Sequence, residues 1–247
     1  MHVVIIPGAY PDEQKAHKGV FFKQQAKALK ETFQDNIKIG IIAPDLRSLF
    51  SIKKPSEIFR FGLSYRQDEP QIPVYRIYSY NLLPGLWHFN RYIFAKHAEK
   101  LFDAYCLKHG KPDVIHAHIG LWAGYAAMKI SQKHNIPYII TEHSSQVLSR
   151  KLNFWQKKCI IKAYNTSNGL AAVSSGLRSE MQLLCPQKDI TVIPNMVDIS
   201  LFSIPSHKRD AYRLISVGNL FPVKGYDILI QAFALCKQQE PELQLSI

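Results

Sequence analysis

The sequence is short of cysteine and of acidic residues, and each shortage narrows what the protein can be. Its cysteines lie far apart in the chain, at Cys106, Cys159, Cys185 and Cys236. They lack the density of a disulfide scaffold and the close pairs of a structural zinc site. We therefore expect reduced thiols and a cytoplasmic protein.

Acidic side chains are outnumbered, with 19 Asp and Glu against 31 Lys and Arg and a formal charge of +12. Such a surface attracts polyanions, phosphorylated small molecules or an anionic membrane leaflet. The basic residues are spread along the chain without a zinc-finger, helix-turn-helix or aromatic RNA-binding signature, so we expect no nucleic-acid partner.

Long apolar runs are also missing, since no stretch approaches the ~18 to 20 residues that span a membrane. The apolar start, His2 to Ile6, reaches Pro7 and Gly8 at once and is too short for a signal peptide. We expect a soluble protein, or one that contacts the inner face of a membrane peripherally.

What the chain does contain is an alternation of strand-like and helix-like segments. Seven short apolar runs predict strands: His2 to Ile6, Ile37 to Ile42, Ile72 to Tyr78, Val114 to His116, Tyr138 to Thr141, Leu170 to Val173 and Thr191 to Ile193. Helical periodicity separates most of them, most clearly over Val20 to Phe33 and His88 to His109. This alternation is typical of an α/β fold with a doubly wound, Rossmann-like parallel sheet. With 247 residues, 47% of them apolar, the chain can bury such a core.

Two stretches interrupt the pattern. Ala43 to Pro70, with several prolines and a Lys-Lys pair, predicts an irregular surface excursion. Around Pro205 the chain becomes polar and basic, which predicts a hinge between a domain of residues 1–205 and a fragment of residues 206–247. That fragment holds only one strand–helix–strand unit, too little to bury a core of its own. It either docks on the first domain or opens a second domain that is truncated, and we favour truncation.

Polar residues collect where two consecutive predicted strands end. His116 and His118 end the strand that starts at Val114, and Glu142 and His143 end the next one. In open parallel sheets ligands bind beyond the carboxyl ends of the strands. A histidine in such a place often only satisfies loop backbone, but two strand ends that both carry one favour a site. A zinc site is disfavoured, because no third ligand lies at a typical spacing.

Six short motifs resemble, in order and spacing, the retaining nucleotide-sugar glycosyltransferases of family four. They are Gly19 to Leu29, Pro112 to His118, Thr141 to His143, Ala172 to Ser174, Val192 to Asp198 with Phe202, and Val217 to Leu220 leading to Lys224-Gly225. Each motif is weak alone, and the series is fairly specific. The resemblance implies a GT-B fold of two facing Rossmann-like domains, in which the first holds mainly the acceptor and the second mainly the nucleotide sugar.

The resemblance also implies residue roles. His118, past the strand end, is the candidate catalytic residue, whose neutral imidazole hydrogen-bonds the donor sugar and steadies positive charge developing on its ring. Gly19, just ahead of a helix, and Lys224 are expected to contact the donor phosphates, where a fixed cation stabilises the diphosphate leaving group. Asn219 stands where the family usually has an arginine, so it can donate a hydrogen bond but cannot neutralise charge. We expect the imidazoles to face Lys224 across a cleft that closes between the domains.

Glu142, His143 and Asn195 are expected to line the same cleft and to face the acceptor. Other interpretations stay open. Glu142 can instead orient a histidine or cap the following helix. Asn195 lies in a turn resembling the family's Pro-Asn-Gly-Val-Asp, with Met196 in the glycine place, and that turn can be purely architectural.

Several motifs are absent. The family's acidic Glu-x7-Glu motif, which holds the donor sugar and ribose, does not occur, so we expect these 247 residues alone to be catalytically silent or nearly so. No Asp-x-Asp motif occurs, which fits metal-independent chemistry, and we expect neither a metal nor a cofactor. A nicotinamide-dependent enzyme is disfavoured, because Gly8 stands alone where Gly-x-Gly-x-x-Gly is expected.

Two segments bear on the acceptor. Val147 to Tyr164 predicts one helix, with basic residues mostly away from its apolar face. That apolar face would hold Leu148, Leu152, Trp155, Cys159 and Ala163. This helix, and the aromatic and basic run from Trp87 to Lys96, either face the core with a solvated side or contact anionic lipid headgroups.

We therefore expect a glycosyltransferase that moves a sugar from a nucleotide-sugar donor to a saccharide or lipid-linked acceptor, with retained configuration, in surface-polysaccharide assembly. The alternative is a non-catalytic module that binds a saccharide or a partner.

Overall fold

The computed structural model describes residues 1–12, 19–48, 62–69, 72–81, 85–202 and 212–247. The chain divides into two compact units, Met1–Val197 and Asp198–Ile247. The boundary expected after residue 205 falls outside the described residues and stays a prediction.

The first unit is built on one eight-stranded sheet. Its strands are β1 (His2–Ile6), β2 (Lys38–Ser48), β3 (Gly62–Glu69), β4 (Ile72–Asn81), β5 (Val114–His118), β6 (Tyr138–Glu142), β7 (Gly169–Ala172) and β8 (Thr191–Val192). They lie in the order β3-β4-β2-β1-β5-β6-β7-β8. Every neighbouring pair is parallel except β3 and β4. The predicted Rossmann-like parallel sheet is confirmed.

Helices connect the strands. They are α1 (Val20–Phe33), α2 (Trp87–His109), α3 (Tyr125–His134), α4 (Ser145–Leu148), α5 (Phe154–Thr166) and α6 (Ser175–Leu184). A π-helical turn, Gly120–Gly124, leads into α3. None of the helices in the described part of the chain is both long and apolar enough to cross a membrane.

Successive strand residues feed two cores on opposite faces of the sheet. Val4 and Ile6 pack in the larger core, with side chains of α2, α3, α5 and α6 such as Phe102. Val3 and Ile5 pack in the smaller core, with Ala26 of α1. Because both faces are covered, the strands have continuous apolar sequences.

The prediction that Ala43 to Pro70 is irregular is wrong within the described residues. β2 continues to Ser48, and Gly62–Glu69 forms β3, antiparallel to β4. Pro44 does not end β2, because β1 pairs with β2 only as far as Ile41. Beyond that point β4 is the only described strand that pairs with β2, so the other edge of β2 tolerates a residue without an N–H.

The single helix predicted over Val147 to Tyr164 is also wrong, since the segment forms two helices. α4 ends at Leu148, and Arg150 adopts a positive φ of 55°. Asn153 then starts α5: its side chain accepts a hydrogen bond from the Gln156 N–H, while the Gln156 side chain accepts one from the Asn153 N–H. This capping box fixes the new start of the helix.

The break changes which residues of that segment face the core. Leu152, Cys159 and Ala163 are buried as predicted. Leu148 and Trp155, however, are 50% and 57% exposed.

The described part of the second unit forms one strand–helix–strand unit, as expected from its sequence. Its elements are β9 (Arg213–Ile215), α7 (Tyr226–Gln239) and β10 (Gln244–Ser246), and the two strands are parallel.

Candidate functional site

Three histidines meet at the carboxyl ends of β5 and β6. The two strands are adjacent, with His118 opposite Thr141. The rings of His116 and His118 have centroids 4.2 Å apart, and Nδ1 of His118 lies 3.1 Å from Nε2 of His143. One of these two nitrogens carries the proton of the hydrogen bond.

His118 does not lie past the strand end, which corrects the prediction of its position. It is the last residue of β5 and is 0% exposed. Phe22 of α1 covers His118: its ring centroid lies 4.6 Å from that of His118 and 5.2 Å from that of His143. Nε2 of His118 is buried and has no hydrogen-bond partner among the described residues, and buried polar atoms without partners are uncommon.

Burial lowers the pKa of all three imidazoles, because it disfavours the charged form. The pKa of His116 and that of His143 fall to about 4. The pKa of His118 is lowered well below its usual value by burial, and by its two histidine neighbours in addition. Nε2 of His116 also lies 2.8 Å from the hydroxyl of Thr141. Near pH 7 these three histidines, which we call the histidine cluster, therefore offer neutral hydrogen-bonding groups.

Glu142 does not line an open cleft, which corrects a second prediction, because it is 0% exposed. Its carboxylate accepts hydrogen bonds from the N–H groups of Gly120 (2.8 Å), His143 (3.0 Å) and Ser144 (2.8 Å) and from the hydroxyl of Tyr164 (2.6 Å). Burial raises its pKa, and these donors oppose that shift. Glu142 thus ties the end of β6 to the π-helical turn and to α5, a structural role different from the two left open for it.

His143 and Asn195 are the predicted cleft residues that reach the surface. His143 is half-buried and Asn195 is exposed. Burial lowers the pKa of His143, and the side chain of Asn195, acting as a hydrogen-bonding group, raises it in part. Nδ1 of His143 has no partner of ordinary geometry in the described part of the chain.

Gly19 occupies a tight turn at the start of α1. Its φ is 73°, and a Cβ there would lie 2.3 Å from the carbonyl oxygen of Ala9. Both facts require glycine. The turn carries Phe22 into its place, since the Phe22 N–H donates to the Gly19 carbonyl at 3.0 Å.

Asn219 and Lys224 lie in the second unit, on the connection between β9 and α7, and both are exposed. The Asn219 carbonyl accepts a hydrogen bond from Phe221 at 2.8 Å. Lys224 ends a short 3₁₀ turn, and Gly225, with a φ of 66°, leads into α7. The expected meeting of Lys224 with the imidazoles stays a prediction.

A second polar pocket, which the sequence did not predict, lies at the carboxyl ends of β1, β2 and β4. Its volume is about 240 Å³. Charged, amide and aromatic side chains share its walls: Tyr10, Asp12, Asp45, Arg76, Asn81, Phe94 and Trp122. We refer to it as the charged pocket.

Two arginines balance the two carboxylates of the charged pocket. Arg47 forms ion pairs with Asp12 and with Asp45, the latter at 3.0 Å. Nη1 of Arg76 lies 4.0 Å from Asp12, and its Nη2 donates to the Pro11 carbonyl at 2.7 Å. Both arginines are buried. The two arginines and the two carboxylates together therefore carry no net charge.

The charged pocket was missed because Asp45 and Arg47 were assigned to a loop. A signal was present in the predicted strand Ile72 to Tyr78, which Arg76 interrupts. A charge within a buried strand requires a partner, so Arg76 indicated a nearby carboxylate. Among the described residues, no group of three or more His, Cys, Asp or Glu side chains is placed to hold a metal ion.

Comparison with curated proteins finds relatives that the chain matches over part of their length. The chain is 28% identical over 225 residues to the putative teichuronic acid biosynthesis glycosyltransferase TuaC of Bacillus subtilis, covering 86% of this chain and 54% of TuaC. It is 24% identical over 159 residues to D-inositol 3-phosphate glycosyltransferase of Pseudarthrobacter chlorophenolicus, covering 56% and 37%. The chain thus spans about half the length, or less, of the curated relatives it matches.

Solved structures share the fold. HepE of Anabaena, in complex with UDP, superposes with a TM-score of 0.58 at 15% identity, covering 99% of this chain and 60% of HepE. A putative UDP-N-acetylglucosamine 2-epimerase of Listeria monocytogenes gives 0.55 at 12% identity, covering 99% and 61%. This likeness in fold agrees with the predicted Rossmann-like fold class. The sequence profile of Glycosyltransferase Family 4 matches residues 39–201, more than half of the chain, and the chain belongs to that family.

Proposed function

We propose that the chain is the acceptor-side part of a retaining glycosyltransferase, which moves a sugar from a nucleotide-sugar donor to a saccharide or lipid-linked acceptor. Family membership over residues 39–201 carries the proposal, because that stretch contains the histidine cluster and most of the charged pocket. TuaC is named for teichuronic acid biosynthesis, and HepE is described in complex with UDP-glucose. The name of TuaC fits the role in surface-polysaccharide assembly that we propose for the protein in the cytoplasm, and the UDP-glucose bound to HepE fits a nucleotide-sugar donor.

On the donor side we assign three residues. Lys224 supplies a fixed cation that stabilises the charge building on the diphosphate leaving group. Asn219 donates a hydrogen bond on the same connection. Gly19 lets backbone N–H groups at the start of α1 approach a phosphate, where the helix dipole favours negative charge. We keep residues 1–205 as the acceptor domain and residues 206–247 as the opening of the donor domain.

The histidine cluster is assigned to the donor sugar. His118 has an unpartnered Nε2, which can hydrogen-bond a sugar hydroxyl once Phe22 moves aside. A neutral imidazole can also steady positive charge that develops on the sugar ring. We assign His143 and Asn195, which reach the surface, to the side of this site that faces the acceptor.

The charged pocket is assigned to the acceptor. The aromatic faces of Tyr10 and Trp122 suit the apolar face of a sugar ring, while Asp45 and Asn81 suit its hydroxyl groups. Because the arginines and carboxylates of the charged pocket carry no net charge, the pocket favours a neutral saccharide over a free phosphate.

The test uses the whole protein encoded by the gene, a panel of nucleotide sugars and saccharide acceptors. We expect Lys224→Ala to weaken nucleoside diphosphate binding and His118→Ala to lower turnover by about 100-fold, as the loss of one transition-state hydrogen bond does. Lys237→Ala, which removes another exposed lysine of the second unit, should change neither. Unchanged transfer in both site variants contradicts the assignment, and an inverted product, seen by NMR, contradicts retention.

A further inference from the structure

Large apolar side chains are exposed together where α2 and α5 begin. They are Leu86, Phe89, Tyr92, Phe154 and Trp155, each 44% to 61% exposed. The two helices meet here, because the ring centroids of His88 and Trp155 lie 5.7 Å apart. We refer to these residues as the α2–α5 surface. Clustered exposed apolar side chains mark interaction surfaces more often than scattered ones do.

The α2–α5 surface is basic as well as aromatic. Nζ of Lys158 lies 4.5 Å from the ring centroid of Phe154 and 5.6 Å from that of Trp155. Lys162, one turn after Lys158 on α5, is exposed and lies on the side facing α2, since it and Arg91 both act on the pKa of Cys159. Residues 143–179 contain no Asp or Glu, and neither do residues 70–98. The first acidic residue of α2 is Glu99, which is already paired, with Lys96 at 3.0 Å and Lys133 at 2.7 Å.

We propose that the α2–α5 surface docks on an anionic lipid bilayer. Tryptophan, tyrosine and phenylalanine settle at the level of the lipid headgroups, and lysines extend from there to bind phosphate groups. The absence of carboxylates from the helix starts that form this surface removes the repulsion that an anionic leaflet would otherwise meet. Charge complementarity therefore selects a membrane as the occupant.

This docking site lies at the same edge of the sheet as the charged pocket. α2 and α5 each run back to a parallel strand, β5 and β7, so both helices begin at the carboxyl edge. A row of rings links the two places: Trp155 to His88 at 5.7 Å, His88 to Trp87 at 4.9 Å, and Trp87 to Trp122 at 6.4 Å. Trp122 lines the charged pocket.

Docking therefore brings the charged pocket to the bilayer surface. On the proposed function, this geometry favours an acceptor saccharide carried by a lipid over one that diffuses freely. The sugar enters the pocket from the headgroup layer, along the row of rings.

Vesicle binding by the 247-residue chain tests the docking step without any assay of transfer. Flotation is measured with vesicles of phosphatidylcholine alone and of phosphatidylcholine mixed with phosphatidylglycerol, at low and high salt. We expect binding to the mixed vesicles only, weakened by salt. Each lysine near an anionic surface contributes about fivefold in affinity, so Lys158→Glu/Lys162→Glu should weaken binding by at least roughly 20-fold.

The matched control is Lys100→Glu/Lys111→Glu, which makes the same change in net charge at exposed lysines outside the α2–α5 surface. It should retain most of the binding. For the apolar part, Phe154→Ala/Trp155→Ala should weaken binding while Leu107→Ala, at a residue that is 91% exposed near the far end of α2, should not. Circular dichroism confirms that each variant is folded.

A direct contact readout avoids reliance on loss of binding. Lipids brominated on their acyl chains should quench tryptophan fluorescence in the native chain, and much of that quenching should disappear in Trp155→Phe. Equal binding by the site and control variants, or no binding to either vesicle, overturns the proposal. So does a change in oligomeric mass on Phe154→Ala/Trp155→Ala, which would assign the surface to a second copy. Nucleotide binding by the whole protein is measured separately, so the two proposals fail separately.

Discussion

The hydroxyl group of Tyr164, in α5, donates a 2.6 Å hydrogen bond to Oε2 of Glu142, at the end of β6. Gly120 makes this contact possible, since a Cβ there would lie 2.5 Å from the Tyr164 ring. Burial raises the pKa of both groups. The pair therefore joins three elements around the candidate site.

Loss of that hydroxyl should destabilise the fold. In Tyr164→Phe the buried carboxylate loses one of its four donors, and we expect the free energy of unfolding to fall by about 1–3 kcal/mol. Urea denaturation measures it. Tyr92→Phe is the control, because Tyr92 is 51% exposed, and it should change stability by less than about 0.5 kcal/mol. Equal losses of unfolding free energy in the two variants would show that the hydrogen bond to Glu142 does not stabilise the fold.

Stability should fall as the pH is lowered from about 6.5 to about 4. The folded chain holds His116 and His143 with a pKa of about 4, below the 6.5 of free imidazoles. The unfolded chain therefore binds more protons in that window, and stability that is present above pH 6.5 is lost as the pH falls through it. The loss is about 2–3 kcal/mol for each histidine.

The raised pKa of Glu142 changes stability with pH in the opposite direction. A histidine variant is therefore needed to isolate the contribution of the histidines. His143→Gln should flatten the dependence of unfolding free energy on pH. A slope that is the same in His143→Gln and in the native chain contradicts the assignment of the pH effect to the three histidines.

Gly19→Ala should destabilise the chain more than Gly225→Ala. Both glycines are left-handed, with φ of 73° and 66°, but a Cβ at Gly225 would only touch the end of the Ile228 side chain at 3.9 Å, whereas one at Gly19 meets the Ala9 carbonyl at 2.3 Å. Left-handed backbone costs about 1–2 kcal/mol for a non-glycine residue. The excess in Gly19→Ala measures the close approach, and thermal unfolding of the two variants should reveal it. An equal loss in both would show that the turn relaxes.

Removing Arg47 should be costly. Arg47→Met leaves the buried carboxylate of Asp12 and the partly buried one of Asp45 without their main partner, and we expect a loss of about 3–5 kcal/mol by urea denaturation. The control is Glu180→Gln, which breaks the pair of Glu180 with Arg150, whose side chain is 68% exposed. That change should cost at most about 1 kcal/mol. Similar small losses in both would mean that water reaches Asp12 and Asp45.

Local patterns predicted the elements that depend on their own sequence. β1 and α1 have the expected bounds, His2–Ile6 and Val20–Phe33, because an apolar run and a helical period report them directly. β3 did not follow from its sequence, since its pairing depends on β4. The continuation of β2 past Pro44 likewise depends on where β1 stops pairing.

The candidate site was predictable in part for the same reason. Strand ends placed His118, Glu142 and His143 at one edge, and the structure brings them together. Their exposure was not predictable, because Phe22, which covers His118, comes from a helix far away in the chain. Arg76 indicated that a carboxylate lies near the charged pocket, but which carboxylates meet it depends on long-range contacts of β2 and of the segment after β1, which no local pattern reports.

Both borders of the eight-stranded sheet are poor templates for a further strand. β8 has two residues only, and the pairing of β3 with β4 shifts register between Gln67 and Glu69. Short or bulged edges discourage one molecule from extending the sheet of another. Wide as it is, this sheet is therefore protected at its two margins against strand-mediated aggregation.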